Sequence, residues 1–378
     1  MKITSVRWYA LESREGRGRV NLLEEVPGLH RIQYRHRGRA EGPAQQCFLE
    51  VQTDEEIVGR CTTTMGSAEA AILRNHVLGE TPLDREHLYQ LFHKGTRWVY
   101  SHPGWFGDFD NCLWDIAGKV SGLPVYDLIG RVRKRFPVYV TGGDDSLSGY
   151  LRAIEKSRRF GVNAYKIHTY KGGKADIPIV RGLRREAGPS FDLISDPVCS
   201  YTLREAIEVG HVMEELDFVW LEEPMHEQKM NLYQELCSEL TVPVMSTERL
   251  MHDVDISAQW LIHGATDLLR ANARHGTTQV LKLAHFAELY GTNIELNGQG
   301  GLFGLLHSHL GCCIDNTSYY EYPSNGEDGE GLRRAGEAWG LTNAPLVEDG
   351  HLAPPDGPGW GAIWDESRFQ SLVLSAEG

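Results

Sequence analysis

From Phe136 onward the chain alternates between two patterns of apolar and polar positions. Short apolar runs of strand length, FDLISDP at 191–197, DFVWLEEP at 217–224 and VPVMSTE at 242–248, are separated by TLREAIEVGHVMEEL at 202–216 and NLYQELCSEL at 231–240, whose apolar residues recur at helical spacing. Strands that alternate with helices lie parallel. The same reading places strand ends at Thr141, His168, Asp196, Glu222, Glu248, Asn272, Asn297 and Glu321, eight in all. Eight such units closing on themselves predict an α/β fold, a (β/α)8-type barrel, with its chemistry at the C-terminal face of the strands.

The N-terminal third follows a different pattern. MKITSVRWYAL is strand-like, and FLEVQTDEEIVGRCTT alternates around a turn at Thr53–Glu56, so a small antiparallel sheet is expected. Between them runs a long loop rich in arginine (Arg14, Arg17, Arg19, Arg31, Arg35, Arg37, Arg39) with His30 and His36, which by composition reads as a solvated surface. Helical periodicity dominates from Thr81 to Ser121 and is broken by WVYSHPGWFGDF at 98–109, where Trp98, Trp105 and Phe106 read as core or interface residues. After about Asn343 the chain is expected to return to the N-terminal sheet and finish with the strand-like WGAIW at 360–364.

A length of 378 residues exceeds one ordinary domain and fits a barrel of about 210 residues with a second domain. The boundaries predicted are an N-terminal α+β capping domain at 1–132, completed by about 344–378, and the barrel at 133–343. A net charge of −14 argues against nucleic acid and against an anionic membrane surface as partners. Seven cysteines without regular spacing, including the adjacent Cys312 and Cys313, read as reduced thiols. MKITSVRWYALESREGRGR has no apolar signal core and no window reaches bilayer length, so a soluble, cytoplasmic protein is expected.

Asp196, Glu222 and Glu248 close three successive strands, 26 residues apart at both steps, so a barrel directs three carboxylates toward one point. Capping of the following helix accounts for a single strand-end acid. Three in phase point to a metal site, because like charges in a low-dielectric cleft either rise in pKa or are neutralised by a hard cation. Oxygen ligands with room left for water or substrate favour Mg²⁺.

DP at 196–197, LEEP at 221–224 and STE at 246–248 resemble the metal-ligand strands of the enolase superfamily, in its mandelate racemase-like branch. DNCLWDIAGKVSGLPVYDLIG at 110–130 is similar to that family's domain-joining helix, and PPDGPGWG at 354–361 to its closing segment, so the likeness spans nearly the whole chain. It implies that the arginine-rich loop folds over the barrel mouth, where Arg17 and His30 meet an anionic substrate. It leaves open whether the first strand pair of the barrel is altered.

In AYKIHTY at 164–170, Lys166 and His168 share one side of a strand and face the barrel axis. Many members of the family carry Lys-x-Lys there, the second lysine taking the α-proton of a carboxylate substrate. His168 stands at that second position, and an imidazole is a base near neutrality without special tuning. Lys166, protonated, is expected to stabilise the enediolate as its charge develops.

Where the branch usually has Asp and His at the ends of strands six and seven, this chain has Asn272 and Asn297, so the resemblance lacks the usual His-Asp dyad. Asparagine accepts no proton at accessible pH, which favours a reaction needing one base over racemisation. His275 follows strand six, and His307 and His309 read as helix-surface residues; Arg270 and Glu295, inward by parity, read as a mutual pair. Glu321 matches the acid that hydrogen-bonds the substrate carboxylate in several relatives, and kept protonated among acids it donates to the enolate.

The resemblance therefore implies a Mg²⁺-dependent lyase that dehydrates a sugar acid to its 2-keto-3-deoxy product. In this scheme Asp196, Glu222 and Glu248 hold the metal, Lys166, His168 and Glu321 are catalytic, and Asn272, Asn297, Arg17 and His30 bind substrate. Cycloisomerisation and racemisation share the first step, and a non-catalytic barrel that keeps the metal acids is the reading from another class. A homo-oligomer is expected, with the aromatic segment at 98–109 as an interface.

Overall fold

The computed structural model describes residues 1–12, 18–27, 32–42, 45–142, 146–169, 171–323 and 328–378. Its larger part is a closed barrel of eight strands: Phe136–Gly142, Ala164–Ile167, Asp192–Ser195, Leu221–Glu222, Val244–Ser246, Leu268–Ala271, Ile294–Leu296 and Tyr320–Pro323. They pair in chain order, and the last returns to the first with Glu321 opposite Tyr139. The first pair is parallel like the rest, with Val140 opposite Tyr165. Each of the eight predicted strand ends lies within two residues of an observed one, and His168, Asp196, Asn272 and Asn297 stand one residue beyond their strands.

Local chemistry fixes the helices between the strands. Leu203–Glu215 begins at Thr202, whose hydroxyl accepts the Glu205 amide while the Glu205 carboxylate accepts the Thr202 amide, and it turns Ala206, Val209, Val212 and Met213 onto the barrel. Inside the barrel, Tyr139, Ala164, Ile194, Trp220 and Met245 form a buried plug. The interior is thus packed, and only the mouth is free for chemistry.

Ile3–Glu12, Gln45–Thr53 and Val58–Thr63 form an antiparallel sheet whose fourth strand is Val373–Glu377, paired with Trp8–Leu11. The expected closing strand WGAIW is not one, because Gly359 and Gly361 take φ of 69° and 67° on either side of Trp360 and break the extended path. Trp360 instead inserts into the core and donates its indole N–H to the Asn111 carbonyl at 2.9 Å.

The arginine-rich segment also departs from expectation. Gly18–Pro27 and Ile32–Gly42 pair as an antiparallel hairpin, and Arg35, Arg37 and Arg39 recur every second residue, which is strand periodicity. Arg17 and His30 lie outside the described residues.

Helix Gly107–Ser121 joins the sheet to the barrel. A side chain at Gly107 would place its Cβ 2.1 Å from the backbone of His275, so only glycine permits this approach to the loop after strand six. Asn111 donates to the Ala273 carbonyl at 2.7 Å, and the Asp110 carboxylate accepts the Thr278 amide at 2.8 Å, capping the helix that follows strand six. Trp105 and Phe106 are buried, whereas Trp98 is 80% exposed. Among the described residues no helix is long and apolar enough to cross a membrane.

Candidate active site

Strand two carries Lys166 inward, and burial alone would push its ammonium down. Glu222 and Glu321 outweigh that and hold it well above its ordinary value. The ammonium lies 3.0 Å from Glu222, 3.1 Å from Glu321 and 3.4 Å from Asp196. His168, at the end of the same strand, stands with Nε2 3.1 Å from Asp196 and Nδ1 on the Gly142 carbonyl. Burial lowers this imidazole, but Asp196 reverses the sign and the net shift is upward.

Strand six supplies a second buried cation, Arg270, which is fully enclosed. Its guanidinium reaches Glu222 at 2.9 Å, Glu321 at 2.5 Å, the Tyr139 hydroxyl at 3.0 Å and the Leu296 carbonyl at 3.2 Å, with Glu248 3.6 Å away. The expected pairing with Glu295 is not formed. Glu295, although opposite Arg270 in the strand pairing, accepts the backbone amides of Ser318 and Tyr319 just before strand eight. Arg270 was legible as inward-facing, but its true partners lie on strands four and eight.

Glu321 corrects a further expectation. Burial would raise its carboxyl, but Lys166 and Arg270 together hold it well below the carboxylate range, so it is ionised and accepts the Gly298 amide at 2.9 Å. It cannot be the protonated donor the sequence suggested. The two asparagines are also committed: Asn272 donates to the backbone and side-chain carbonyls of Asn297, and Asn297 donates to Glu248 at 2.8 Å. In place of a His-Asp dyad the two strands carry an amide relay that ends on a carboxylate.

The histidines near strands six and seven are not bases in waiting. His307 and His309 are fully buried rather than on a helix surface, and burial pushes both down to about 3. His307 Nε2 accepts the Ala273 amide and its Nδ1–H donates to Gly298, which fixes the neutral tautomer. His275 faces His102 and His252 with ring centroids 5.4 and 6.1 Å away, and burial lowers it to about 3 as well.

Two acids escaped sequence reasoning. Glu227 lies beyond LEEP, and its carboxylate accepts the amides of Thr247, of Glu248 at 3.1 Å and of Arg249 at 2.8 Å, pinning the loop that carries Glu248. Thr247 needs that support, since its φ of 80° is a left-handed conformation costly for a β-branched residue. Glu223 is buried beside Glu248 and Asp196, which together with burial raise its carboxyl well above the ordinary range. The second acid of LEEP was the available signal.

Asp196, Glu222 and Glu248 therefore converge, but with Lys166 and Arg270 between them. Among the described residues no three His, Cys, Asp or Glu side chains are grouped so that they could hold an ion as they stand. The donor set nonetheless fits a hard divalent cation: every group is a carboxylate oxygen, and negative charge is in excess even after both cations are counted. The excess appears at Glu223 and at Glu248, which burial pushes up to about 8 despite Arg270. Glu248 is also the most accessible of the three acids, its side chain 28% exposed.

A parallel eight-stranded barrel, crossed at its mouth by converging acids and joined to an antiparallel sheet through one buried helix, defines a class of architecture rather than a single protein. The chain belongs to the enolase superfamily: residues 150–368 match the enolase C-terminal domain-like family. It is 23% identical over 368 residues to the D-galactonate dehydratase family member RspA of Cellvibrio japonicus, covering 84% of this chain and 89% of that one. It is 25% identical over 358 residues to arabinonate dehydratase of Saccharolobus solfataricus, covering 88% and 92%. The crystal structure of D-glucarate dehydratase from Agrobacterium tumefaciens, complexed with magnesium, aligns with a TM-score of 0.81 at 24% identity, covering 99% of this chain and 100% of that one.

Proposed function

We propose that the protein is a Mg²⁺-dependent acid-sugar dehydratase, which removes the proton α to a carboxylate and expels the β-hydroxyl as water to give a 2-keto-3-deoxy acid. The carrying observation is that, among the described residues, the mouth places one imidazole, His168, close to a buried ammonium, and carries the amides of Asn272 and Asn297 on strands six and seven. The names of the relatives, galactonate and arabinonate dehydratases, support the same chemistry.

Asp196, Glu222 and Glu248 are the proposed ligands, and Mg²⁺ held there supplies Lewis-acid stabilisation of the substrate carboxylate as it becomes an enediolate. Lys166 places a permanent positive charge where that negative charge grows. His168 would take the α-proton on Nε2 once Asp196, which Nε2 faces at 3.1 Å, is given over to the cation, with Nδ1–H anchored on Gly142 throughout. The Cα–H electron pair forms the new double bond, the Cβ–O bond breaks, and the proton on His168 leaves with the hydroxyl as water. Tautomerisation of the resulting enol completes the 2-keto acid.

Among the described residues only one face of the substrate is served by a base, which separates dehydration from racemisation. Asn272 and Asn297 hold no exchangeable base, and the neutral His307 spends Nε2 on a backbone amide. Their proposed role is to set Glu248 and to offer amide groups to substrate oxygens. Incubating the protein with a panel of acid sugars, with Mg²⁺ and then with excess chelator, tests the reading. It predicts 2-keto-3-deoxy product with at least one acid and none after chelation; turnover surviving chelation refutes it.

A further inference from the structure

A second polar cavity adjoins the mouth and is not used by the chemistry above. It has a volume of about 150 Å³ and lies between the two halves of the molecule, with Gln46, Thr62, Thr64 and Asp108 on one side and Arg274 and Gln299 on the other. Arg274 follows strand six, and its backbone amide donates to the Asn272 side chain at 2.9 Å. Its guanidinium stands about a van der Waals contact, 3.8 Å, from where a Cβ on Gly298 would be. Gly298 is the residue whose amide binds Glu321, so a single residue links the Arg274 guanidinium to an acid of the barrel mouth.

Among the described residues the Arg274 side chain makes no hydrogen bond or ion pair, and it is only partly exposed. Among the described residues the one carboxyl lining the cavity is Asp108, which accepts the Thr64 amide at 3.2 Å. Burial pushes Asp108 up to about 7 although Thr63, Thr64 and Arg274 pull it down, so near neutrality it is an incomplete counter-ion. A partly desolvated guanidinium without a full partner is unfavourable until an anion arrives. Its planar fork suits a carboxylate, and the surrounding hydroxyl and amide groups suit sugar hydroxyls.

We infer that this cavity binds a second carboxylate at the far end of the substrate, gripped by Arg274, so that the substrate is a dicarboxylic acid sugar rather than a monocarboxylic one. The inference deepens the dehydratase reading and rests on it for the placement of the first carboxylate. It assigns to Arg274 a specificity role, without a part in proton transfer.

The test compares matched pairs of acid sugars of one stereochemistry, differing only in whether the last carbon is a carboxylate or a hydroxymethyl group. With Mg²⁺ present, kcat/KM for the diacid is expected to exceed that for the monoacid by roughly 100-fold or more. Arg274→Gln is expected to shrink that ratio toward one, and Arg274→Lys to leave it intermediate. Binding of the same pairs measured by calorimetry on wild-type and Arg274→Gln protein needs no turnover and is expected to show the same ordering. Equal kcat/KM for the two members, or a ratio unmoved in Arg274→Gln, overturns the inference and leaves dehydration standing. If no acid sugar is turned over, the dehydratase reading fails; equal calorimetric affinities of the pair then overturn the inference too, and a diacid preference lost in Arg274→Gln upholds the subsite.

Discussion

Replacing Arg270 by methionine tests whether the acids of the barrel mouth are held ionised by buried cations. The side chain is 0% exposed, so solvent does not screen its contacts, and it serves Glu222 at 2.9 Å and Glu321 at 2.5 Å together with Tyr139 and the Leu296 carbonyl. Methionine fills a comparable volume but leaves Glu222 and Glu321 with Lys166, already shared with Asp196, as their remaining buried cation. Breaking a buried pair by removing one partner destabilises by about 3–5 kcal/mol. For a chain with a barrel of this size that corresponds to a fall in Tm on the order of 10 °C. The assay is thermal unfolding of the metal-free protein followed by circular dichroism, with Arg181→Ala as the control. Arg181 and Glu215 form an exposed pair with side chains 49% and 60% accessible, whose loss is expected to cost at most about 1 kcal/mol. A fall in Tm no larger than that of the control would refute the view that buried cations hold the acids of the mouth ionised. Added Mg²⁺ is expected to recover part of the loss by mass action, since it binds the folded state alone.

Further outcomes follow from the same geometry. His307 and His309 are held at about 3 against an ordinary value of 6.5, so the unfolded chain takes up their protons first and stability falls as pH drops below 6.5. Between pH 6.5 and 5 the two together remove about 3 kcal/mol, and His309→Gln should remove about half of their share of the acid slope in denaturant titrations at several pH values. Glu227→Ala strips three backbone amides of their acceptor, and a drop in Mg²⁺ affinity of about 10- to 100-fold by calorimetry is expected, with unchanged affinity contradicting its positioning role. Asn297→Ala releases Glu248 from the amide relay and is expected to weaken Mg²⁺ by roughly tenfold in the same titration, whereas Asn297→Asp, which adds a charge beside Glu248, should alter its pH dependence.

The strand ends were readable because a parallel barrel repeats one pattern eight times, and a one-residue slip would turn the buried face outward. That periodicity was enough to bring Lys166, His168, Asp196, Glu222 and Glu248 to one mouth. Partner choice was not readable. Parity shows that Arg270 points inward, but it does not show that the guanidinium meets Glu222 and Glu321 while Glu295, its neighbour across the strand pair, meets backbone amides. The protonation of Glu321 failed for a related reason, since two cations and not a group of acids are its nearest charges. His307 and His309 looked like surface residues because the helix carrying them, Leu305–Cys313, is enclosed on all sides and has no polar face to mark an interior one. The hairpin at 18–42 was hidden by its arginines, whose charge obscured a period-two alternation, and the closing strand was misplaced because the apolar WGAIW was read as strand without weighing the glycines on either side of Trp360.

The central claim is that His168 is the single base of a carboxylate-activating site. Incubation of wild type and His168→Asn with a turned-over acid sugar and Mg²⁺ in deuterated buffer, followed by NMR of the α-position, reads that directly. The account predicts α-proton loss in the wild type and a loss of both exchange and product in the variant, with Mg²⁺ affinity retained. Undiminished exchange in His168→Asn would contradict it.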